Sequence, residues 1–179
     1  LSGSSRLTSG AEAQCAHALK LLFENEERKC FLRGENEFLF ARIIIKIYKN
    51  MLSKSDAFFV PPPDNNLRME LISEYFGLDE KSVSEKIRPI IAGNAQKLSA
   101  YKVGEYRDEL YSLACDFDVR LTRAWKTFKR LYDDDGFALT SYIDPTDASL
   151  CVSLAPDLKE KFTLLTYMKN AGLLEAYLR

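Results

Sequence analysis

The stretch ENEFLFARIIIKIYKNML, residues 35–52, decides the fold. Placed on a wheel at about 100° per residue, Arg42, Lys46, Lys49 and Asn50 fall in one narrow arc. Phe38, Leu39, Phe40, Ile43, Ile44, Ile45, Ile47, Tyr48, Met51 and Leu52 fill most of the remaining circumference. The β-branched run at Ile43–Ile45 favours a strand locally, but a strand of this length would alternate, and this segment does not. A helix apolar around most of its circumference sits at the centre of its bundle. The segment therefore predicts a core helix with its basic arc at the surface.

Working outward, Ala11 to Glu24 predicts a first helix with Leu19, Leu22 and Phe23 on one side. Residues 1–10 are Ser/Gly-rich and read as a flexible leader or an expression remnant, leaving 11–179 as a single helical domain. After the core helix, Pro61-Pro62-Pro63 predicts a stiff extended connector, with Phe58, Phe59 and Val60 as a strap across the core. Two short helices follow, Leu67 to Phe76 and Glu80 to Arg88, with Gly77 at the corner, Asp79 as N-cap of the second, and Pro89 as its stop or kink. Gly93-Asn94 reads as a turn. A long helical region runs from Ala95 to Asp133, with a break near Gly104.

The reading changes beyond Asp133. Two β-favourable runs, Phe137 to Ile143 and Ser149 to Leu154, flank Asp144-Pro145-Thr146-Asp147 and predict a hairpin. Pro156 opens a last helix to about Asn170, with Gly172 as its C-cap. The fold class expected is mainly α: a bundle of about six or seven helices with one small β-hairpin in the C-terminal third.

Composition bounds the chemistry. The chain has 179 residues, 46% apolar and 28% charged, which is enough to bury a core without metals or disulfides. A net charge of −1 gives no global attraction to nucleic acid or acidic membranes. The longest apolar run is broken at Lys46, far short of the roughly 20 residues that span a bilayer, so no membrane partner is expected. Cys15, Cys30, Cys115 and Cys151 are widely spaced and have apolar neighbours, which predicts four reduced thiols and a cytoplasmic or nuclear setting.

Catalytic motifs are scarce. His17 is the single histidine, in an Ala-rich amphipathic segment, so neither a zinc site nor a Ser–His or Cys–His pair has a base to build on. Aligning Gly136 of Asp133-Asp134-Asp135-Gly136 with the glycine of a calcium loop puts Leu131 and Tyr142 where carboxylates are required. Paired carboxylates such as Asp116 and Asp118 carry no motif, and no phosphate-cradling glycine loop occurs. No catalytic residue, metal or cofactor is expected.

Two patterns point to binding instead. Phe117, Leu121, Ala124, Trp125, Phe128 and Tyr132 share one helix face, with Arg120, Arg123, Lys126 and Arg130 opposite. With Arg42, Lys46 and Lys49, these form two basic arcs that would suit an acidic partner segment, most of all if both line one groove. Separately, residues 67–88 resemble a helix-turn-helix. In a nucleic-acid reading Lys81, Ser82, Ser84, Lys86 and Arg88 would contact phosphate, although Glu80 and Glu85 oppose it. The expected function is a non-catalytic protein-interaction or scaffold module within a larger protein or complex. A DNA- or RNA-binding domain is the alternative, and an enzyme of unrecognised type the third reading.

Overall fold

The computed structural model describes residues 10–30, 32–53, 64–100, 102–133 and 143–178. Among them lie seven α-helices and no strand: α1 (Ala11–Asn25), α2 (Arg33–Ser53), α3 (Asn65–Phe76), α4 (80–97), α5 (Arg107–Asp133), α6 (Pro145–Leu158) and α7 (Leu164–Asn170). Short 3-10 turns at Leu98–Ala100, Val103–Tyr106 and Glu175–Tyr177 punctuate the chain. The leader up to Ser9, the Phe58–Val60 strap with its three prolines, and Asp134 to Tyr142 lie outside the described residues.

The most enclosed helix is α1, with nine buried residues among its fifteen. Ala11, Ala13, Ala16 and Ala18 are small enough to let neighbouring helices approach closely, and α2, α3, α6 and α7 all pack on it. Its buried Gln14 is satisfied at both ends. The Nε2 donates to the Lys161 carbonyl at 3.0 Å, and Oε1 accepts from Thr163 Oγ1 at 3.0 Å. Helix α2 buries Phe40, Ile44, Ile45, Ile47, Met51 and Leu52, with Ile43 and Tyr48 half-buried. It lies between α1 and α5, and its polar arc is divided: Lys46 and Asn50 are exposed as the sequence pointed to, while Arg42 and Lys49 are half-buried.

Helix ends are held by side chains and by left-handed residues. Asp64 and Asp79 cap α3 and α4, and Thr163 caps α7. Gly77 ends α3 at φ 61°, and the Asn25 amide donates to the Glu74 and Tyr75 carbonyls there, so the end of α1 closes the end of α3. After α7, the Gly172 N–H donates to the Lys169 carbonyl and the Leu173 N–H to that of Met168, with Gly172 at φ 70°. The same double closure ends α1, where Glu27 rather than glycine takes φ 54°.

Several expectations are corrected. The run Ser149 to Leu154 is helical, inside α6, and so cannot be a hairpin arm; of the other arm only Ile143 is described, and it forms a bend. Asp144 accepts from the Thr146 N–H at 2.7 Å and Pro145 takes the first helical turn, so Asp-Pro-Thr-Asp is a helix start and not a hairpin turn. Pro156 consequently lies inside α6, two positions from its end, and the last helix begins after Thr163. Gly93 and Asn94 are within α4, which runs past Pro89 to Lys97. Pro89 cannot donate to the carbonyl four residues back, and the preceding turn widens to π geometry over Val83–Ile87 to accommodate it. The helical region from Ala95 is broken near Gly104 as expected, by a 3-10 turn at Val103–Tyr106, and the long helix runs from Arg107.

A buried ionic cluster clamps three helices. The Asp157 carboxylate in α6 accepts from Arg68 Nε of α3 at 3.0 Å and from its Nη2, and from Lys169 Nζ of α7 at 2.6 Å. All three residues are at most 3% exposed. Lys169 also donates to the Ser153 carbonyl at 2.5 Å. Burial pulls the Lys169 ammonium below its ordinary range, and the Asp157 charge opposes that pull.

Candidate functional site

A cleft of about 480 Å³ opens between α2, α5 and α6. Two adjacent i, i+4 rows of α2 build it. Leu39, Ile43 and Ile47 form an apolar row, and Arg42, Lys46 and Asn50 form a polar row beside it. Ala148 and Val152 of α6 close the opposite wall, with Tyr177 and Leu178 at one end. Trp125, the only tryptophan in the chain, comes from α5. Among the described residues no Asp or Glu lines the cleft.

Trp125 is fixed from two sides. Phe38 stacks on it with centroids 6.0 Å apart and planes 24° apart, and the Arg42 guanidinium lies 4.1 Å from its ring centroid. Lys49 instead points along α2 to Asp118 of α5, at 2.6 Å, and that hydrogen bond raises its ammonium pKa. Lys46 remains exposed. The α2 arc is thus divided: Arg42 and Lys49 join the α2–α5 seam, and Arg42 and Lys46 line the cleft.

The α5 arc is placed differently. Arg120, Arg123, Lys126 and Arg130 are all exposed, and none of them lines this cleft, so the two arcs do not share one groove. Arg130 Nε donates to the Lys126 carbonyl at 3.2 Å. Asp108 and Glu109 in the first turn and Arg130 in the last complement the helix dipole, whereas Arg120, Arg123 and Lys126 lie too far from either end for it to act on them. On the apolar side, Ala114 and Leu121 are buried and Trp125 half-buried. Phe117, expected on the packed face, is 51% exposed, and Leu113 is 65% exposed. Among the described elements α5 packs extensively on α2 alone, so its inward stripe there is narrower than the sequence pattern. The side chains of Phe128 and Tyr132 lie outside the described residues.

The residues of the helix-turn-helix resemblance lie in α3, the Gly77 corner and the first half of α4. Lys81, Ser84, Lys86 and Arg88 are exposed and Ser82 is half-buried. Glu80 and Glu85 line a shallow depression together with Lys81 and Ser84, so the exposed surface alternates in charge. Asp79 accepts from the Ser82 N–H at 2.6 Å, which holds this turn and lowers the Asp79 pKa.

All four cysteines are free thiols, with Cys15 and Cys151 buried and both pushed up in pKa by burial. Among the described residues no group of three or more His, Cys, Asp or Glu is placed to hold a metal ion, and no helix is long and apolar enough to cross a membrane. No protein-family model, curated protein or solved structure matches the chain. The cleft residues Leu39, Ile43, Trp125 and Val152 were not legible as a site, because each reads as core on its own element.

Proposed function

We propose that the chain is a protein-interaction module whose α2–α5–α6 cleft receives an acidic, amphipathic segment of a partner protein. One observation carries this reading: an apolar floor bordered by Arg42 and Lys46, with an aromatic wall at Trp125 and no carboxylate among its described lining residues. Apolar side chains of the incoming segment would cover Leu39, Ile43 and Ile47, and its carboxylates would meet the two cations. The outer cations Arg120, Arg123 and Lys126 would steer an acidic partner toward the molecule, raising the association rate more than the affinity. Exposed Leu113 and Phe117 beside them favour a protein over a nucleic acid as the partner.

Trp125 reports occupancy directly, because it is the sole indole in the chain. Titration with a designed amphipathic peptide bearing Glu on its polar face should shift the emission of Trp125 and saturate. A duplex DNA that binds in its place, with affinity lost on reversing Lys81 and Lys86, would replace this reading with the nucleic-acid alternative.

A further inference from the structure

A second cleft, at the N-terminal end of α2, differs from the first in its charge arrangement. It also measures about 480 Å³ and is walled by α1, the start of α2 and the residue that follows α6. Ala13, Ala16 and Leu32 supply its apolar surface. Its polar surface is basic rather than acidic: Lys20 from α1, Arg33 from α2 and Lys159 after α6 line it as cations, beside the imidazole of His17 and the amide of Asn36. No Asp or Glu is among the described lining residues. We propose that this cleft binds a small phosphate ester, with the phosphate held by Lys20, Arg33 and Lys159 and the organic part against Ala13, Ala16 and Leu32.

The physical case starts from cost. Three cations from three separate elements line one concavity, where like charges repel; water screens the exposed Lys20 and Arg33, so the cost falls mainly on the half-buried Lys159. Their neighbours relieve this only partly. Glu24 sits 3.4 Å from Lys20, and Glu37 sits 2.6 Å from Arg33 Nε, each one turn along the same helix. Among the described residues Lys159 has no carboxylate within ion-pair distance, and Lys161 adds a further positive charge nearby. Burial and Arg33 lower the Lys159 pKa, while Glu37 opposes them. Burial first, then Lys159, Lys20 and Arg33, lower the His17 pKa, and Glu24 opposes them. A phosphate dianion would reverse the sign of the local field and relieve each of these groups together. A carboxylate brings only half that charge. The volume falls in the range of small-ligand sites, which suits an ester better than a bare ion.

His17 and Cys30 make the proposal measurable. His17 is the chain's single histidine, so its ring proton resonances are unambiguous in a proton NMR titration. Cys30 lines the cleft and is half-buried, whereas Cys115 is half-buried on α5 and serves as an internal control. The probes are glycerol 3-phosphate, inorganic phosphate and acetate, each compared with sodium chloride of equal ionic strength. Glycerol 3-phosphate should raise the His17 pKa by about half a unit or more, saturably, and slow alkylation of Cys30 several-fold without changing Cys115. Inorganic phosphate should act more weakly, and acetate should not differ from chloride. Arg33→Met and Lys159→Met together should remove both responses; a cooperative melt at an unchanged Tm verifies that the variant is folded, and Lys20→Met, at an exposed position, repeats the test. Equal responses to phosphate ester and chloride would overturn the proposal. So would responses that persist in the folded variants, or an acetate response as large as that of the ester.

Discussion

The guanidinium of Arg42 lies 4.1 Å from the ring centroid of Trp125, joining a cation from the middle of α2 to the sole indole of α5. The basic arc of α2 is therefore partly an internal device. Replacing Arg42 with Ala should cost about 0.5–2 kcal/mol, the range for cation–π pairs from exposed to desolvated. Lys46→Ala, one turn on and exposed, should change stability by less than about 0.5 kcal/mol. Urea titration of the two variants gives both values. Equal losses would mean that the contact contributes nothing.

Asp157 is hydrogen-bonded to two buried cations, Arg68 and Lys169. Asp157→Ala removes the carboxylate that both Arg68 and Lys169 donate to and should destabilise by about 3–5 kcal/mol. Removing the exposed end of a surface pair, as in Arg28→Ala beside Asp147, should cost about 1 kcal/mol or less. A denaturation midpoint for Asp157→Ala close to that of the parent would contradict the cluster.

Two residues take left-handed backbone with opposite consequences. Glu27 at φ 54° carries a Cβ that this region disfavours, so Glu27→Gly should stabilise by about 0.5–1 kcal/mol. At Gly77 the backbone is at φ 61° and a Cβ would run into the Asn25 carboxamide that closes α3. Gly77→Ala should therefore destabilise by more than about 1 kcal/mol. Thermal melts of the pair should move in opposite directions.

His17 sets a pH dependence whose sign follows from its lowered pKa. As pH falls through 6.5 the unfolded chain takes up the proton before the folded one does, so stability declines from there down to the folded-state pKa. His17→Gln should flatten that part of the stability–pH curve and leave the region above pH 7 unchanged. A parallel, equally steep curve for the variant would place the acid sensitivity elsewhere.

The helical architecture was readable because α1, α2 and α5 each carry several turns of 3.6-residue periodicity, and Gly77 and Gly172 mark the ends they were expected to mark. The hairpin failed at a short apolar run. Ser149 to Leu154 has the composition of a strand, and only the hydrogen bond from the Thr146 N–H to Asp144 separates a helix start from a turn of the same four residues. The candidate sites were less legible than the fold. Arg42, Lys46 and Lys49 were found as a row, but their division between seam and cleft depends on where α5 docks. Lys20, Arg33 and Lys159 lie too far apart along the chain for any spacing argument to unite them.

The central claim concerns the sign of charge that the α2–α5–α6 cleft accepts, and a charge swap tests it most directly. Fluorescence of Trp125 is titrated in the parent and in Lys46→Glu with two amphipathic peptides of the same apolar face, one bearing Glu and one bearing Lys. The parent should bind the Glu peptide, Lys46→Glu should bind it about tenfold more weakly, and the Lys peptide should show the reverse preference. Affinities that ignore the swap, or a Trp125 signal that moves with neither peptide, would contradict the account.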